Sequence, residues 1–422
     1  MQTGQRSQGR SSGRVLSALV TVTVVLLAAA CSPQEAETAP AGDGVEVFTW
    51  WASGSEKLGL DALVAVFAEQ YPQTPFIDGA IAGGAGSAAK DLLRSRLAND
   101  DPPDTFLVHG GAELAAHVEA GDLQSLEPLY EELGLRDVLP AGLLELLTVD
   151  GTAYAVPSNV HRANVLWANP GVLREAGLDP SATYTSLDQW FVALEAVRAT
   201  GRTPLAVAST WTQVHLLEQV LLTRLGPEGY RGLFEGTTDP TSPEVGGALA
   251  DFERLLGYTN TDRDRLDWQD ATQRVVDGQA AFTVMGDWAV VAFPGEVAWA
   301  PFPGTAGTYD LVLDAFTLPV DARRSESARE WLRTVASVDA QTELSTAKGA
   351  IPPRQDLGPE GFGAYQQAAM ASFRNDVLVP SLTHGSAAGP QALNAVTTAV
   401  ARFTSGTTAV TAFGAELAAA LG

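Results

Sequence analysis

The sequence contains one cysteine, five histidines and three methionines in 422 residues. A single cysteine excludes an intramolecular disulfide, so the cellular compartment has to be inferred from targeting signals. Basic residues are also few: 26 Lys and Arg stand against 50 Asp and Glu, and the formal net charge is -24. This charge argues against nucleic acid or an anionic lipid surface as a partner, because both would repel the chain. A neutral or cationic small partner is compatible with it.

Motifs of common enzymes are missing as well. The sequence has no G-x-S-x-G nucleophile elbow, no H-E-x-x-H motif, no Walker A loop and no Cys/His cluster at zinc-ligand spacing. Carboxylates are plentiful, and a glycoside hydrolase stays an alternative, because its two acids need no local motif. With 45% hydrophobic and 18% charged residues, the chain has a globular composition and is long enough for two lobes or domains.

The N-terminus carries a targeting signal. Residues 1–14 contain Arg6, Arg10 and Arg14 and no acid, and residues 15–30 form an apolar run that ends in small residues. The run is shorter than the ~20 residues that a membrane-spanning helix needs. This pattern predicts a secretory signal peptide over residues 1–30.

The segment LLAAAC, which ends at Cys31, resembles a bacterial lipobox, in which the cysteine becomes the lipid-modified N-terminus. The resemblance implies a lipoprotein that is anchored at the extracellular face of the cytoplasmic membrane, with residues 31–43 as a polar tether. An ordinary cleaved signal peptide with an incidental cysteine is the alternative.

From Val45 onward, strand-like apolar runs alternate with amphipathic helical segments, which predicts an α/β fold. Strands are expected in VEVFTW, TFLVHGG, TPLAVAST, QAAFTVMGDW and YDLVLDAFTLP. Residues 151–170 are expected to form two extended pieces, interrupted at Pro157, before a helix that Asn169 caps.

Two adjacent tryptophans, Trp50 and Trp51, follow the first strand. Ligands bind open α/β sheets beyond the carboxyl ends of the strands, and side chains alternate between faces along an extended chain. We therefore expect one indole in the core and the other exposed to a cleft, where its flat face suits the C–H side of a sugar ring. The alternative is that both only pack. Trp211 and Trp268 are candidates for a second aromatic wall, or for surface tryptophans packed over a helix.

Three charged residues are further candidates. Ser53 and Glu56 form an S-x-x-E pattern that predicts a helix capping box, and the Glu56 carboxylate either only caps or also binds a ligand hydroxyl. Asp314 lies within an apolar run, so it has to face water, a salt bridge or ligand hydroxyls. Lys348 is either a favourable cation at a helix C-terminus or a ligand contact.

Two histidines lie at the ends of extended runs or in loops. His109 directly follows the apolar residues TFLV and precedes two glycines, and His384 lies in the loop SLTHGSAA. A lone histidine is more often a structural residue than a ligand contact, but the strand-end position of His109 favours a role in binding.

Several motifs together resemble a known family. In chain order they are WWxSGSE, PPDTFLVHGG, VPSNVHRANVLW, FTVMGDWA, DAFTLP, AKGAIPPR and PSLTHG, preceded by the lipobox. They resemble the extracellular solute-binding proteins of family 1, lipoprotein receptors of ABC sugar importers, and most of all the glucose/mannose-binding branch. The resemblance covers nearly all of residues 45–422.

The resemblance implies a two-lobed type II periplasmic-binding fold with a monosaccharide in the cleft between the lobes. It implies an N-terminal lobe of residues 44–157 and 315–365 and a C-terminal lobe of residues 158–314 and 366–422. The positions that match the pocket of the glucose/mannose-binding branch are Trp50, Trp51, Glu56, His109, Trp268, Asp314, Lys348 and His384. Leu107 departs from the family, because relatives often have a polar residue there that reaches the sugar, and the loss of a hydroxyl partner can change which sugar is preferred.

The implied partners are a sugar and the transmembrane subunits of an ABC permease, with a membrane contact only through the lipid anchor and no nucleic acid. We expect a monomer without catalytic residues, cofactor or metal. A receptor for a disaccharide or short oligosaccharide is one alternative, and an anchored glycoside hydrolase is an alternative of another class.

Overall fold

A computed structural model describes residues 44–82, 86–295 and 297–421. The predicted signal peptide (residues 1–30), the lipidation site Cys31 and the tether (residues 31–43) lie outside the described residues. No helix of the described part is long and apolar enough to cross a membrane.

The described part of the chain is a mixture of strands and helices, as the alternation of the sequence predicts. The strands are β1 (Val45–Phe48), β2 (Phe76–Asp78), β3 (Thr105–His109), β4 (Thr148–Val149), β5 (Thr152–Ala153), β6 (Ala155–Arg162), β7 (Val165–Ala168), β8 (Thr203–Ala206), β9 (Ala280–Val284), β10 (Ala298–Pro301), β11 (Thr308–Thr317) and β12 (Val377–Pro380).

The helices are α1 (Gly54–Gln70), α2 (Ser87–Leu97), α3 (Ala112–Ala120), α4 (Glu127–Leu133), α5 (Leu135–Val138), α6 (Ala141–Leu147), α7 (Pro170–Glu175), α8 (Leu187–Ala199), α9 (Thr210–Glu235), α10 (Pro243–Leu256), α11 (Trp268–Val276), α12 (Ser325–Ala336), α13 (Val338–Lys348), α14 (Ala364–Asn375), α15 (Pro390–Thr404) and α16 (Val410–Leu421). Two short 3₁₀ turns, Arg263–Arg265 and Asp287–Ala292, precede α11 and follow β9.

The larger sheet is organised around the ten-residue strand β11. On one edge, the first part of β11 pairs in parallel with β12, and a later part of β11 pairs antiparallel with β3. The sheet continues from β3 to β1 and then to β2. On its other edge, β11 pairs antiparallel with β6. Asp314 of β11 therefore lies in register with His109 of β3 on one side and Asn159 of β6 on the other. Residues opposite each other on neighbouring strands share a face, so this register collects three polar side chains.

The smaller sheet has the order β10-β7-β9-β8, with a parallel pair only between β8 and β9. Each sheet has a hydrophobic core of its own. The core of the larger sheet includes Trp51 and Trp331, and the core of the smaller sheet includes Trp190 and Phe252. The predicted α/β class is confirmed, whereas the exact lobe boundaries stay a prediction.

One local expectation is wrong. The strands within residues 151–170 are interrupted at Tyr154 and at residues 163–164, and β6 continues through Pro157. Proline has no N–H for a strand ladder, and a register shift between Asp314 and Ala315 leaves Ser158, the residue after Pro157, as the extra residue of a bulge. The predicted cap is confirmed, because the Asn169 side chain accepts a hydrogen bond from the Val172 N–H at the start of α7.

A close helix contact packs α13 against α1, the helix that follows β1. Gly59 of α1 faces α13, and a Cβ atom added there would lie 2.8 Å from Leu344 and 3.1 Å from the Cβ atom of Lys348. The missing side chain therefore allows α1 and α13 to approach closely enough to carry Lys348 to the ring of Trp51.

Candidate functional site

A cavity of about 170 Å³ lies beside β11, and we call it the central cavity. Its walls come from strands, helices and loops that pack on both sheets. The lining residues are Trp50, Ser53, Glu56, Ala82, Gly86, His109, His161, Trp211, Asp267, Trp268, Gln269, Trp288, Val312, Asp314, Lys348 and His384. Seven of the eight residues expected from the sequence line this cavity, and Trp51 does not.

The two adjacent tryptophans take different places, as strand alternation predicts. Trp51 is fully buried in the core, where its ring meets that of Phe316 edge-on at 5.7 Å. Trp50 lines the central cavity, and its ring lies 4.9 Å from the ring of His109. Trp51 still supports the site, because the Lys348 ammonium lies 3.6 Å from its ring centroid in a cation–π contact.

Asp314 is the polar centre of the cavity. Its Oδ2 atom accepts hydrogen bonds from Lys348 Nζ at 2.6 Å and Asn159 Nδ2 at 2.9 Å, and His109 Nε2 lies 3.5 Å from Oδ1. Burial alone would raise the pKa of Asp314, but the charge of Lys348 holds this pKa below its ordinary value. The expectation that Asp314 needs a salt bridge or another polar partner is confirmed.

Glu56 projects from the first turn of α1 into the cavity and is half-buried. The predicted capping box is wrong: Ser53 occupies the N-cap position, but no side-chain capping hydrogen bond forms there. The Glu56 carboxyl instead faces Lys348 and Asp314. Burial raises its pKa to about 7, an effect that Lys348 opposes and the negative charge of Asp314 increases. At neutral pH this group is therefore available both as a hydrogen-bond donor and as an acceptor.

His109 lies at the end of β3, and two residues that do not line the central cavity contact its Nδ1 atom. Its Nδ1 atom lies 3.0 Å from Glu113 Oε2 and 3.2 Å from Lys90 Nζ. Burial, and next the positive charge of Lys90, lowers the pKa of His109. His384 contacts Ser381 Oγ through Nδ1 at 2.9 Å, and burial, followed by nearby His109, lowers its pKa well below the ordinary value. Both imidazoles are therefore neutral near pH 7.

Four indoles form the apolar part of the lining. Trp268 is the first residue of α11, and Trp211 lies in the first turn of α9, so both expected members of a second aromatic wall reach the cavity. Trp288 completes the set, and its ring lies 5.2 Å from that of His384. Indole faces beside buried charges give the cavity surfaces for both the apolar and the hydroxyl sides of a ligand.

Sequence reasoning overlooked His161 and Trp288 as site residues, although both lie in motifs that it quoted. Asn159 and His161 are two residues apart on β6, so they share the face toward Asp314. This spacing of polar residues in a buried strand was the available signal. Leu107 is buried and is not part of the cavity lining.

One cluster has the residue types of a metal site. His215, Glu218 and His384 bring possible ligand atoms within 4.8 Å of one another. The Glu218 carboxylate, however, already accepts hydrogen bonds from the Tyr230 hydroxyl, the Leu382 N–H and both the N–H and the hydroxyl of Thr383. These four donors occupy its lone pairs, so Glu218 fixes the loop before His384 and is not free to bind a cation.

A cavity bordered by elements of two sheets is the arrangement of a two-lobed binding protein. Residues 44–342 match the family model of the bacterial extracellular solute-binding proteins. The chain belongs to this family, as the motifs of the sequence predict.

Relatives and solved structures agree with the assignment. An uncharacterized ABC transporter extracellular-binding protein of Pyrococcus horikoshii is 33% identical over 81% of this chain and 79% of its own length. The xylose/arabinose-binding protein XacG of Haloferax volcanii is 29% identical over 84% of this chain and 79% of its own length. The solved structure of a chitin oligosaccharide binding protein has a TM-score of 0.79 at 19% identity and covers 89% of this chain and 98% of its own. The predicted two-lobed fold is thereby confirmed.

Proposed function

We propose that this protein is the sugar receptor of an ABC importer, and that it binds one monosaccharide of the glucose/mannose type in the central cavity for delivery to a membrane permease. The observation that carries the proposal is the combination of indole faces with the buried ion pair of Asp314 and Lys348 in one cavity. A sugar hydroxyl is costly to desolvate unless the site returns its hydrogen bonds, and charged partners return the strongest ones. The name of XacG, which binds xylose or arabinose, is consistent with a monosaccharide cargo.

The size of the cavity favours one sugar ring over a longer ligand. Its volume of about 170 Å³ is below the ~300–1,000 Å³ that is typical of sites for drug-sized ligands. A disaccharide or short oligosaccharide, the alternative cargo, would need a wider cavity. Aromatic faces would cover the C–H surface of the ring, while Lys348, Asp314 and Glu56 exchange hydrogen bonds with its hydroxyls.

Ligand binding would couple to the position of the lobes. A ligand that contacts both lobes stabilises the closed arrangement more than the open one, and this difference in affinity drives closure. We propose the lobe boundaries given above, a monomeric receptor and a lipid anchor at Cys31 on the extracellular face of the membrane. The permease would recognise the closed form, and no bond of the ligand would be broken.

One observation favours a second candidate, a glycoside hydrolase. Glu56 and Asp314 line the same cavity, and their pKa values are displaced in opposite directions, as in an acid and nucleophile pair. Asp314 Oδ2 is already engaged by Lys348 and Asn159, which fits a binding role better than nucleophilic attack. An aryl glycoside incubated with the protein distinguishes the two: released phenol supports the hydrolase, and stoichiometric binding without product supports the receptor.

The test of the receptor proposal uses calorimetry with glucose, mannose, galactose, xylose, maltose, cellobiose and trehalose. We expect a 1:1 complex with a monosaccharide. Asp314→Asn removes one charge from the pair with Lys348, so it should weaken binding by about 10- to 150-fold, the equivalent of the ~1.5–3 kcal/mol of a hydrogen bond to a charged group.

Asp310→Asn is the matched control, four residues earlier on β11 and outside the cavity lining. Burial, together with the charge of Glu218, raises the pKa of Asp310 well above its ordinary value, so a neutral amide perturbs this position less than it perturbs Asp314. Sugar affinity should not change in Asp310→Asn. Equal affinity in both variants, or no binding of any sugar by the wild type, would contradict the proposal.

A further inference from the structure

His161 lies between two buried carboxylates. It projects from β6 and is itself 1% exposed. Its Nδ1 atom is hydrogen-bonded to Asp287 Oδ1, and its Nε2 atom lies 3.7 Å from Asp314 Oδ2 in the wall of the central cavity. Within the described residues, His161 Nε2 is a buried polar atom without a hydrogen-bond partner. A buried nitrogen of this kind, directed into a cavity, calls for a polar ligand atom.

The partners of Asp287 indicate which nitrogen of His161 carries the proton. Asp287 Oδ2 accepts hydrogen bonds from the Arg162 N–H at 3.0 Å and the Tyr365 hydroxyl at 3.4 Å. Asp287 therefore acts as an acceptor toward three groups, and the Nδ1–H of His161 is the third donor. In the neutral imidazole, a proton on Nδ1 leaves Nε2 with a free lone pair.

The orientation of the ring is fixed as well. The Trp288 ring meets the His161 ring edge-on at 5.1 Å, and Trp288 directly follows Asp287 in the chain. One short 3₁₀ turn, Asp287–Ala292, thus supplies both the carboxylate that holds Nδ1 and the indole that packs against the imidazole. Rotation of the ring away from the cavity would break the first contact and meet the second.

We infer that Asp287 is a positioning residue, which holds His161 as the Nδ1–H tautomer so that Nε2 accepts a hydrogen bond from one ligand hydroxyl. The inference rests on the proposed function and extends it to specificity. His161 Nε2 and Asp314 Oδ2 are two acceptors that face each other across 3.7 Å. Asp314 Oδ2 already accepts from Lys348 and Asn159, so a sugar hydroxyl that reaches this wall donates to His161 Nε2, and the site selects for a hydroxyl at this position of the ring.

The tautomer is tested first, by two-bond ¹H–¹⁵N correlation spectra of ¹⁵N-labelled protein. The chain has five histidines, and His161→Asn identifies the His161 signal by its disappearance. We expect the Nδ1–H pattern in the wild type. In Asp287→Asn, the amide oxygen replaces one acceptor and the amide NH₂ faces Nδ1, so the pattern should change to Nε2–H. An Nε2–H pattern in the wild type, or the pattern of an imidazolium protonated on both nitrogens, would overturn the inference, with or without a sugar.

The hydroxyl contact is tested by calorimetry with glucose and its monodeoxy analogues. His161→Asn keeps an amide donor near Asp287 and removes Nε2, so glucose should bind about tenfold more weakly. The analogue that lacks the hydroxyl bound by His161 Nε2 should bind the wild type more weakly than glucose does. The same analogue should bind His161→Asn no more weakly than it binds the wild type. If every analogue loses affinity by the same factor in both proteins, His161 does not accept from a ligand hydroxyl.

His117→Asn is the matched control. His117 Nδ1 also contacts a carboxylate, Asp122 Oδ2 at 2.8 Å, but His117 is not part of the central cavity. This variant should bind glucose and all analogues like the wild type. A wild type that binds no monosaccharide would refute the proposed function itself, whereas normal binding with an unchanged analogue pattern in His161→Asn would refute only the role of His161.

Discussion

The carboxyl of Glu56 should make the stability of the ligand-free protein fall as the pH rises. Its pKa in the folded protein is about 7, compared with an ordinary value of 4.5. The folded state therefore holds a proton on Glu56 at pH values where the unfolded chain has released it. Relative to Glu56→Gln, which cannot ionise, the wild type has its full stability below about pH 4.5 and loses part of it as the pH rises through about 7.

The size of the effect follows from the displacement of the pKa. A rise from 4.5 to about 7 corresponds to about 3 kcal/mol, at 1.36 kcal/mol for each pH unit. The partial exposure of Glu56 makes this figure an upper bound. We expect the free energy of unfolding of Glu56→Gln minus that of the wild type to increase from pH 4.5 to pH 7 and to stay constant above pH 7.

Urea unfolding of the two proteins at several pH values between 4 and 8.5 measures this difference. Glu69→Gln is the matched control, because Glu69 belongs to the same helix, α1, but is exposed and does not line the cavity. A difference between Glu56→Gln and the wild type that does not vary with pH would refute the reasoning. A difference that grows toward low pH would also refute it, because Lys348 would then dominate over burial.

Three other changes test separate parts of the molecule. Trp268→Ala should weaken sugar binding about tenfold or more in calorimetry, whereas Trp299→Ala, a half-exposed tryptophan outside the cavity lining, should leave it unchanged. Gly86→Ala adds a Cβ atom 2.8 Å from Trp50 Cδ2 at a φ of +83°, so it should weaken binding more than Gly121→Ala, where φ is +78° and no atom lies within 4 Å. Cys31→Ser should release the protein from membranes into the medium on cell fractionation, and retention on the membrane would contradict the lipid anchor.

Local features of the sequence predicted much of this fold. The alternation of apolar runs with helical segments and the Asn169 cap depend on residues close in the chain, and the structure has both. The strand-end positions of Trp50 and His109 also marked the site, because side chains that follow a strand stand at the edge of the sheet where ligands are met.

Two errors arose where distant residues decide the outcome. The pattern at Ser53 and Glu56 fits a capping box, but the cavity offers the Glu56 carboxyl a neighbouring ammonium, Lys348, that lies far away in the sequence. Pro157 reads as an interruption, but β6 continues through it, because a bulge at Ser158 shifts the register between Asp314 and Ala315 of the neighbouring strand. Neither the cation nor the bulge can be inferred from the adjacent residues.

The polar centre shows why strand register, more than any motif, builds this site. Asp314 has His109 beside it on β3 and Asn159 beside it on β6, although these residues are far apart in the chain. A shift of one residue in either pairing would turn the partner side chain to the opposite face of the sheet and leave the Asp314 carboxylate buried with fewer donors. The register is therefore stabilised by the same contacts that shape the cavity. The sheet therefore fixes the position of Asp314 and its two neighbours, and Glu56 from α1 and Lys348 from α13 add the remaining charged groups of the cavity.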